Sequence, residues 1–307
     1  MENQCYFVCS RGLLKLTTFH SPLPKSSYNN DYVYLIKMLS NNPVKMNDGM
    51  SIYVCSELLS FFVKRILPQI TNTFILVTGD SDLITPIECL SNDQTSTLLN
   101  NIYLVKWFAQ NTRLQNINKI YQLPIGLDYH TILNNPNHPW NNTNNNNNGV
   151  NHLPKQQEIE LMNIRQKMKP FYERKCNIYI NFSMYNDRFN SRKKVFEEIP
   201  NQLMEINQSF TKRIDVWNHM CNYTFILSPF GNGLDCHRTW EALCLGCIPI
   251  ITASFFTKMF EDLPVLIVNE WSDITQELLD KTIIEFKNKT FNYDKLSLQY
   301  WTKQFTL

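Results

Sequence analysis

A chain of 307 residues, 43% apolar and 13% aromatic, is long enough to bury the cores of two ordinary domains. Its formal charge of +2, with no long basic run, argues against a nucleic-acid partner. The apolar runs fall short of the ~20 residues that span a bilayer, and the first twenty residues, with Glu2, Arg11 and Lys15 among apolar ones, lack the pattern of a signal peptide. The expectation is a soluble, cytoplasmic protein with no integral membrane segment.

Residues 5–9 read as a first strand, and 52–55 as another that leads into a helix over 57–66, stopped by Pro68. Phe74-Ile75-Leu76-Val77 is a continuous apolar run of the kind buried on both faces of a parallel sheet, and Thr78-Gly79-Asp80-Ser81-Asp82 follows at its end. A helical stretch at 95–99 and a short run at 103–108 come next. Residues 119–124 then lead into Ile125-Gly126-Leu127-Asp128-Tyr129-His130. This alternation predicts a Rossmann-like domain over 1–133.

From 134 to 153 the composition turns to asparagine with proline and tryptophan. Such a tract buries too little apolar surface to offset its ordering entropy, and a mobile loop is expected. The charged, amphipathic stretch 155–169, ended by Pro170, predicts a helix within a connecting segment, 154–170.

A second domain is expected over 171–290, opening with a strand at 177–181 and a helix at 191–199. Arg188, Arg192, Lys193 and Lys194 crowd that helix start, where the dipole disfavours cations unless an anion neutralises them. Solvated surface is the default for Arg192, Lys193 and Lys194. A helix at 214–222 precedes the densest stretch of the chain, 223–252. There a buried strand, Tyr223 to Leu227, is broken by Pro229, Gly231 and Gly233. A helix follows, with Asp235 as expected N-cap and Gly246 at C′, and then a strand at 248–251.

Such a βαβ unit presents its helix N-terminus at the carboxyl edge of a parallel sheet, where free N–H groups and the dipole receive phosphates. Gly231 and Gly233 would permit close backbone approach. Arg238 and Glu241, three apart, share a helix face. A guanidinium suits a phosphate and a carboxylate suits two ribose hydroxyls, which together describe a nucleotide site. Asp235 would repel a phosphate there unless its carboxylate turns onto backbone N–H groups.

Nine cysteines, scattered through expected strands and helices, read as free thiols. Cys236, His237, Cys244 and Cys247 include a C-x-x-C, but two of them are adjacent and Cys244 falls on the apolar face of the helix, so no metal site is expected. Beyond this unit, the sequence predicts a strand at 265–268 and a helix at 274–281 with Asp273 as N-cap and Gln276 completing a capping box. In the last segment, 291–307, Leu296, Tyr300 and Trp301 share one face.

The run Gly231-Asn232-Gly233-Leu234-Asp235-Cys236-His237-Arg238-Thr239-Trp240-Glu241-Ala242, closing in Gly246-Cys247-Ile248-Pro249-Ile250, resembles the donor-binding core of exostosin-like GT-B glycosyltransferases. In that family an R-x-x-E-A helix ending in G-C-x-P holds the nucleotide of a sugar nucleotide. The match covers about thirty residues and is diffuse elsewhere. It implies an α/β fold of two Rossmann-like domains facing a cleft, acceptor in the first and donor in the second, with the terminal helix crossing back onto the first.

The resemblance also implies roles. Arg238 would meet the diphosphate and stabilise the leaving group, Glu241 would hold the ribose, and Gly231 and Asn232 would line the phosphate loop, with Gly233, Asp235 and His237 beside them. Arg188 would be the basic residue that the family carries after the first strand of this domain. The implied reaction is an inverting, metal-independent transfer from a nucleotide-diphosphate sugar, here expected to be a UDP-sugar, to a hydroxyl of a glycan or glycoprotein, with no cofactor required. The base would come from Asp80, Asp82, Asp128 or His130, at the carboxyl ends of first-half strands, with Asp82 preferred. Two alternatives stand beside this. Asp80-Ser81-Asp82 fits a GT-A-like transferase that holds Mn or Mg on carboxylates, and the fold also suits a non-catalytic nucleotide-sugar or glycan-binding module.

Overall fold

The computed structural model describes residues 2–21, 34, 48–113, 117–141, 153–207, 209 and 211–306. It contains two sheets in which every pairing between strands is parallel. Strands β1 (Met50–Cys55), β2 (Phe74–Gly79), β3 (Leu104–Ala109) and β4 (Ile120–Gln122) form the first, in that order. Strands β5 (Lys175–Ile180), β6 (Met204–Ile206), β7 (Tyr223–Leu227), β8 (Ile248–Thr252) and β9 (Leu266–Val268) form the second, in the order β6-β5-β7-β8-β9. The α/β class expected from the alternating pattern is the class observed.

Helices connect and cover these strands. They are α1 (Ser10–Lys15), α2 (Asn92–Leu99), α3 (His130–Asn134), α4 (Pro154–Lys167), α5 (Ser191–Glu198), α6 (Arg213–Met220), α7 (His237–Cys244), α8 (Gln276–Lys287) and α9 (Leu298–Thr302). Residues 56–69, after β1, pass through short 3₁₀, α and π turns.

Side chains alternate across the strands with a period of two and so feed two faces. Ile52, Val54 and Leu76 pack outward against Phe62, Ile66 and Leu98. Ile178, Ile180, Phe225 and Leu227 likewise pack outward against Val195 and Leu279. The opposite faces, carrying Tyr53, Ile75 and Val77 in one sheet and Tyr179, Tyr223 and Ile226 in the other, share a single core with Trp240 and Leu243 of α7. The two halves are therefore joined by buried apolar surface. α4 adds polar ties: the buried Glu158 accepts the N–H of Tyr6 at 2.7 Å and of Phe7 at 2.9 Å, and Arg165 donates to the Cys244 carbonyl at the end of α7.

Two local expectations need correction. Residues 5–9 do not form a sheet strand; they make isolated bridges, Phe7 to Ser297 and Cys9 to Gly126 and Leu127, because the neighbouring edges belong to the chain terminus and the loop after β4. Asp273 does not cap α8. Thr275 does, accepting from the Leu278 N–H at 3.2 Å, while Asp273 completes a capping box with Glu270 one turn earlier. Of the tract expected to be a mobile loop, residues 142–152 lie outside the described residues, and of those before them most of 134–140 are exposed. Asn141 is buried and donates to the Pro136 carbonyl at 2.7 Å, and the Trp140 ring lies against Arg213.

The last segment lies on the first half. Val8 donates to Leu296 and Leu298 to Tyr6, both at 2.8 Å, and Phe305 meets Phe108 with ring centroids 5.3 Å apart. Among the described residues no helix is long and apolar enough to cross a membrane.

Candidate functional site

In the second sheet β5 lies beside β7, while the chain leaves β5 toward β6 on one side and leaves β7 toward β8 on the other. The loops after these two strands must diverge, and the crevice they open at the carboxyl edge is where α/β sheets collect ligands. A cavity of about 390 Å³ occupies it. Asn181, Phe182, Ser183 and Asn186 come from the loop after β5, Gly231 to Cys236 from the loop after β7, and His237, Arg238 and Glu241 from α7. The first half closes it with Asp82, Ile125, Asp128 and Trp140. A larger hollow, about 820 Å³, lies at the opposite edge by Lys175, where Arg174 spends its guanidinium on the carbonyls of Lys169 and Leu245.

Arg238 stands on the cavity wall without a counter-ion. Its guanidinium lies 5.3 Å from the Phe182 ring centroid, and Nη1 is sealed from solvent with no hydrogen-bond partner. The residue as a whole is only half-buried because the cavity beside it is open. Burial pushes its pKa down to about 10; Cys236 and Glu241 oppose this and Arg192 adds to it. Arg192, expected on the surface, is instead buried on the same wall, 5.5 Å from the same Phe182 ring, and donates from Nε to the Phe230 carbonyl at 3.1 Å and from Nη1 to the Ser183 carbonyl. Two guanidiniums thus converge with no carboxylate paired to either among the described residues. Arg188, expected to supply the cation here, turns to the first half and pairs with Glu88. It does not line the cavity.

Gly231 and Gly233 are each approached closely by a side chain. A Cβ on Gly231 would sit 2.8 Å from Arg192 Nη2, and one on Gly233 would sit 3.0 Å from Asn111 Nδ2. Asn111, buried at the end of β3 with φ of 51°, bridges the halves: its Oδ1 accepts from Leu234 N and Asp235 N, both at 3.0 Å. Asn232 is exposed on the cavity rim.

Asp235 is not the N-cap of α7. Cys236 occupies that position, and no side chain caps the helix. The Asp235 carboxylate is drawn away by the Trp240 indole N–H, at 2.9 and 3.0 Å, and by the Ile125 N–H at 2.7 Å. Burial raises its pKa to about 6 against these hydrogen bonds.

At the other end of the cavity a third arginine is fully engaged. Arg213, at the start of α6, donates to the Asp128 carbonyl and to Gln157 Oε1 at 2.9 Å. Its Nη2 lies 3.5 Å from Asp128 Oδ2 and its Nε 3.8 Å from Glu241 Oε1, and its guanidinium sits 4.9 Å from the Trp140 ring and 5.7 Å from that of Trp217. Glu241 therefore lines the cavity leaning on Arg213. Two further buried atoms of this wall lack partners, the Trp217 indole nitrogen and Asn181 Oδ1.

Among the expected bases, Asp82 lines the cavity and is exposed. Asp128 also lines it, but its carboxylate accepts from Thr131 N at 2.9 Å and Thr131 Oγ1 at 2.7 Å and faces His130 Nδ1 at 3.2 Å. Burial alone would raise its pKa, yet His130, His237, Arg213 and the Thr131 N–H hold it well below the usual carboxylate range. His130 stands behind Asp128 rather than on the wall. Burial lowers it to about 4 against the pull of Asp128, so its ring is neutral at pH 7. Asp80, with φ of 56°, pairs with Arg11 at 3.6 Å. His237 reaches across the halves, its Nδ1 2.7 Å from the Gly126 carbonyl oxygen.

All nine cysteines are free, and Cys244 and Cys247 are buried in the core. Among the described residues no group of three or more His, Cys, Asp or Glu side chains could hold a metal ion. Sequence reasoning missed Arg192, Arg213, Asn111, Trp217 and Asn181 as parts of this site. For the two arginines a signal existed: each begins a helix, where a cation is disfavoured unless it has an anion or acceptor to meet. No model of a known protein family matches this chain, and no curated protein matches it.

Proposed function

We propose that the protein is a glycosyltransferase of the two-domain GT-B type, which moves a sugar from a nucleotide-diphosphate sugar to a hydroxyl of a glycan or glycoprotein. One observation carries the reading. Among the described residues, Arg238 and Arg192 stand in a cavity at the switch point of a parallel sheet with no carboxylate within ion-pair distance of either, Glu241 and Asp187 acting on them only from farther off, and one nitrogen of Arg238 lacks any partner. Like charges held together at such a position destabilise the free protein unless a ligand supplies the anion. A diphosphate does so, and the uncapped N-terminus of α7 adds its dipole. Glu241 lies one helical turn along α7, where its free lone pairs suit ribose hydroxyls.

In the transfer, charge develops on the diphosphate as its bond to the sugar breaks, and the two guanidiniums stabilise it. They do the work that a divalent cation does elsewhere, so activity should survive EDTA. Complete loss in EDTA, restored by Mn, would instead favour carboxylate-held metal and move Asp80 and Asp82 to the centre.

The test is a thermal-shift series with UDP, UDP-glucose, UDP-galactose, UDP-N-acetylglucosamine and UDP-glucuronate, followed by an assay of UDP release. A donor at a hundred times its dissociation constant should stabilise the protein by ~2.7 kcal/mol. Binding without UDP release would make the protein a nucleotide-sugar-binding module. No shift with any of the series would remove the UDP-sugar reading.

A further inference from the structure

We propose that His237 is the general base of the transfer, with Nε2 as the atom that takes the acceptor proton; this rests on the glycosyl-transfer reading above. The argument starts from one contact. His237 Nδ1 lies 2.7 Å from the Gly126 carbonyl oxygen. A carbonyl only accepts, so Nδ1 carries the hydrogen and the neutral ring has its lone pair on Nε2. The backbone of the first half thus selects the tautomer of a residue on the second half, in the manner of a group that orients a base.

Position agrees with this role. His237 lines the cavity, and it is the residue next to Arg238, the cation assigned to the diphosphate. The anomeric carbon is bonded to that diphosphate, so the acceptor hydroxyl must arrive beside it, on the side facing the first half. His237 is tied to that side by Gly126.

The other candidates fit less well. The Asp128 carboxylate is engaged by Thr131, His130 and Arg213. His130 has its Nδ1 on Asp128, stands 6.0 Å from His237 ring to ring, and does not line the cavity. Asp82 is an exposed carboxylate, with no hydrogen bond or ion pair to hold it among the described residues.

The step balances. The acceptor O–H gives its proton to Nε2, its oxygen forms the new bond to the anomeric carbon, and the bond from that carbon to the diphosphate oxygen breaks, with the electron pair leaving on the nucleoside diphosphate. The imidazolium keeps its Nδ1–H on Gly126 and returns the Nε2 proton to solvent through the open cavity. The titratable groups around the ring are Asp128 and the neutral His130 from the first half, Asp235 from the loop before α7, and Arg238 and Glu241 on α7 itself.

Two variants test the assignment, with UDP-glucose as probe or whichever UDP-sugar gives the largest thermal shift, and water as acceptor. His237→Asn keeps an N–H for the Gly126 carbonyl and removes Nε2. His237→Ala opens a space that added imidazole can enter. Both should lose UDP release by about 100-fold or more while retaining the thermal shift given by UDP. Imidazole should restore UDP release to His237→Ala and not to His237→Asn. Release within about threefold of wild type in His237→Asn, a ratio too small for loss of a general base, would put the base elsewhere. Loss of the UDP thermal shift together with activity would make His237 a donor-binding or structural residue. A wild-type protein that binds UDP-sugars but never releases UDP would overturn the transferase reading itself, and the base with it.

Discussion

Arg213 and Arg238 begin neighbouring helices and end on the same cavity, yet they live in opposite electrostatic conditions. Arg213 has Asp128, Gln157 and Glu241 around it and stacks on two tryptophans. Arg238 has a phenylalanine face and an empty hydrogen-bonding position. A buried cation with a full set of acceptors holds a structure together, whereas one without them is a cost the fold carries until a ligand arrives. The first joins the two halves, and the second is where the proposed function puts the negative charge of a ligand.

The largest expected effect falls on the saturated arginine. Arg213→Met strands the carboxylates of Asp128 and Glu241 inside the protein and should lower stability by about 3–5 kcal/mol, read from urea denaturation. Arg238→Met should leave urea stability unchanged or raise it, while abolishing the UDP-induced thermal shift. Equal destabilisation by the two variants would erase the distinction between them.

Next come the conservative changes on the phosphate side. Arg238→Lys keeps the charge and loses the planar fork, and turnover should fall by one to three orders of magnitude, roughly 1.4–4 kcal/mol, with a smaller change in donor affinity. Arg192→Lys should follow it, because Arg192 is buried on the same wall and not solvated as its sequence position suggested. Wild-type turnover in Arg192→Lys would reduce that guanidinium to packing on Phe182.

Glu241→Gln should weaken UDP binding by roughly 1.5–3 kcal/mol, measured by calorimetry. Its effect on stability should stay well below that of Arg213→Met, since its contact with Arg213 is long, at 3.8 Å. If UDP affinity is unchanged, the ribose does not rest on Glu241.

The smallest effect is one of pH. The folded pKa of Asp235 is raised to about 6, so the folded state takes up a proton first and stability rises as pH falls from 7 toward 4. The folded pKa of His130 is lowered to about 4, so the unfolded state takes up a proton first and stability falls over nearly the same window. The two trends oppose each other, and wild-type stability should be nearly flat between pH 6.5 and 4. His130→Gln should expose the rise and Asp235→Asn the fall, each by about 2 kcal/mol, from shifts of roughly two units. Parallel curves for both variants would show that neither group titrates as its surroundings imply.

Parallel strands buried on both faces must be written as continuous apolar runs, and for that reason β2, β7 and β8 were legible in the amino-acid sequence. Gly246, with φ of 63°, was legible as the end of α7 because few residues other than glycine adopt that conformation readily. Arg238 and Glu241 could be put on one face from their spacing alone, since a helix fixes what stands three residues away. What each side chain meets across the cavity was not encoded locally. The partners of Arg213 come from three separate segments, Asp128, Gln157 and Glu241, and those of Asp235 and His237 come from the loop around Ile125 and Gly126. Only the closing of one sheet onto the other brings these groups within reach, and this closure decided that Arg192 rather than Arg188 faces the cavity, that Asp235 binds an indole instead of capping a helix, and that His237 carries its hydrogen on Nδ1.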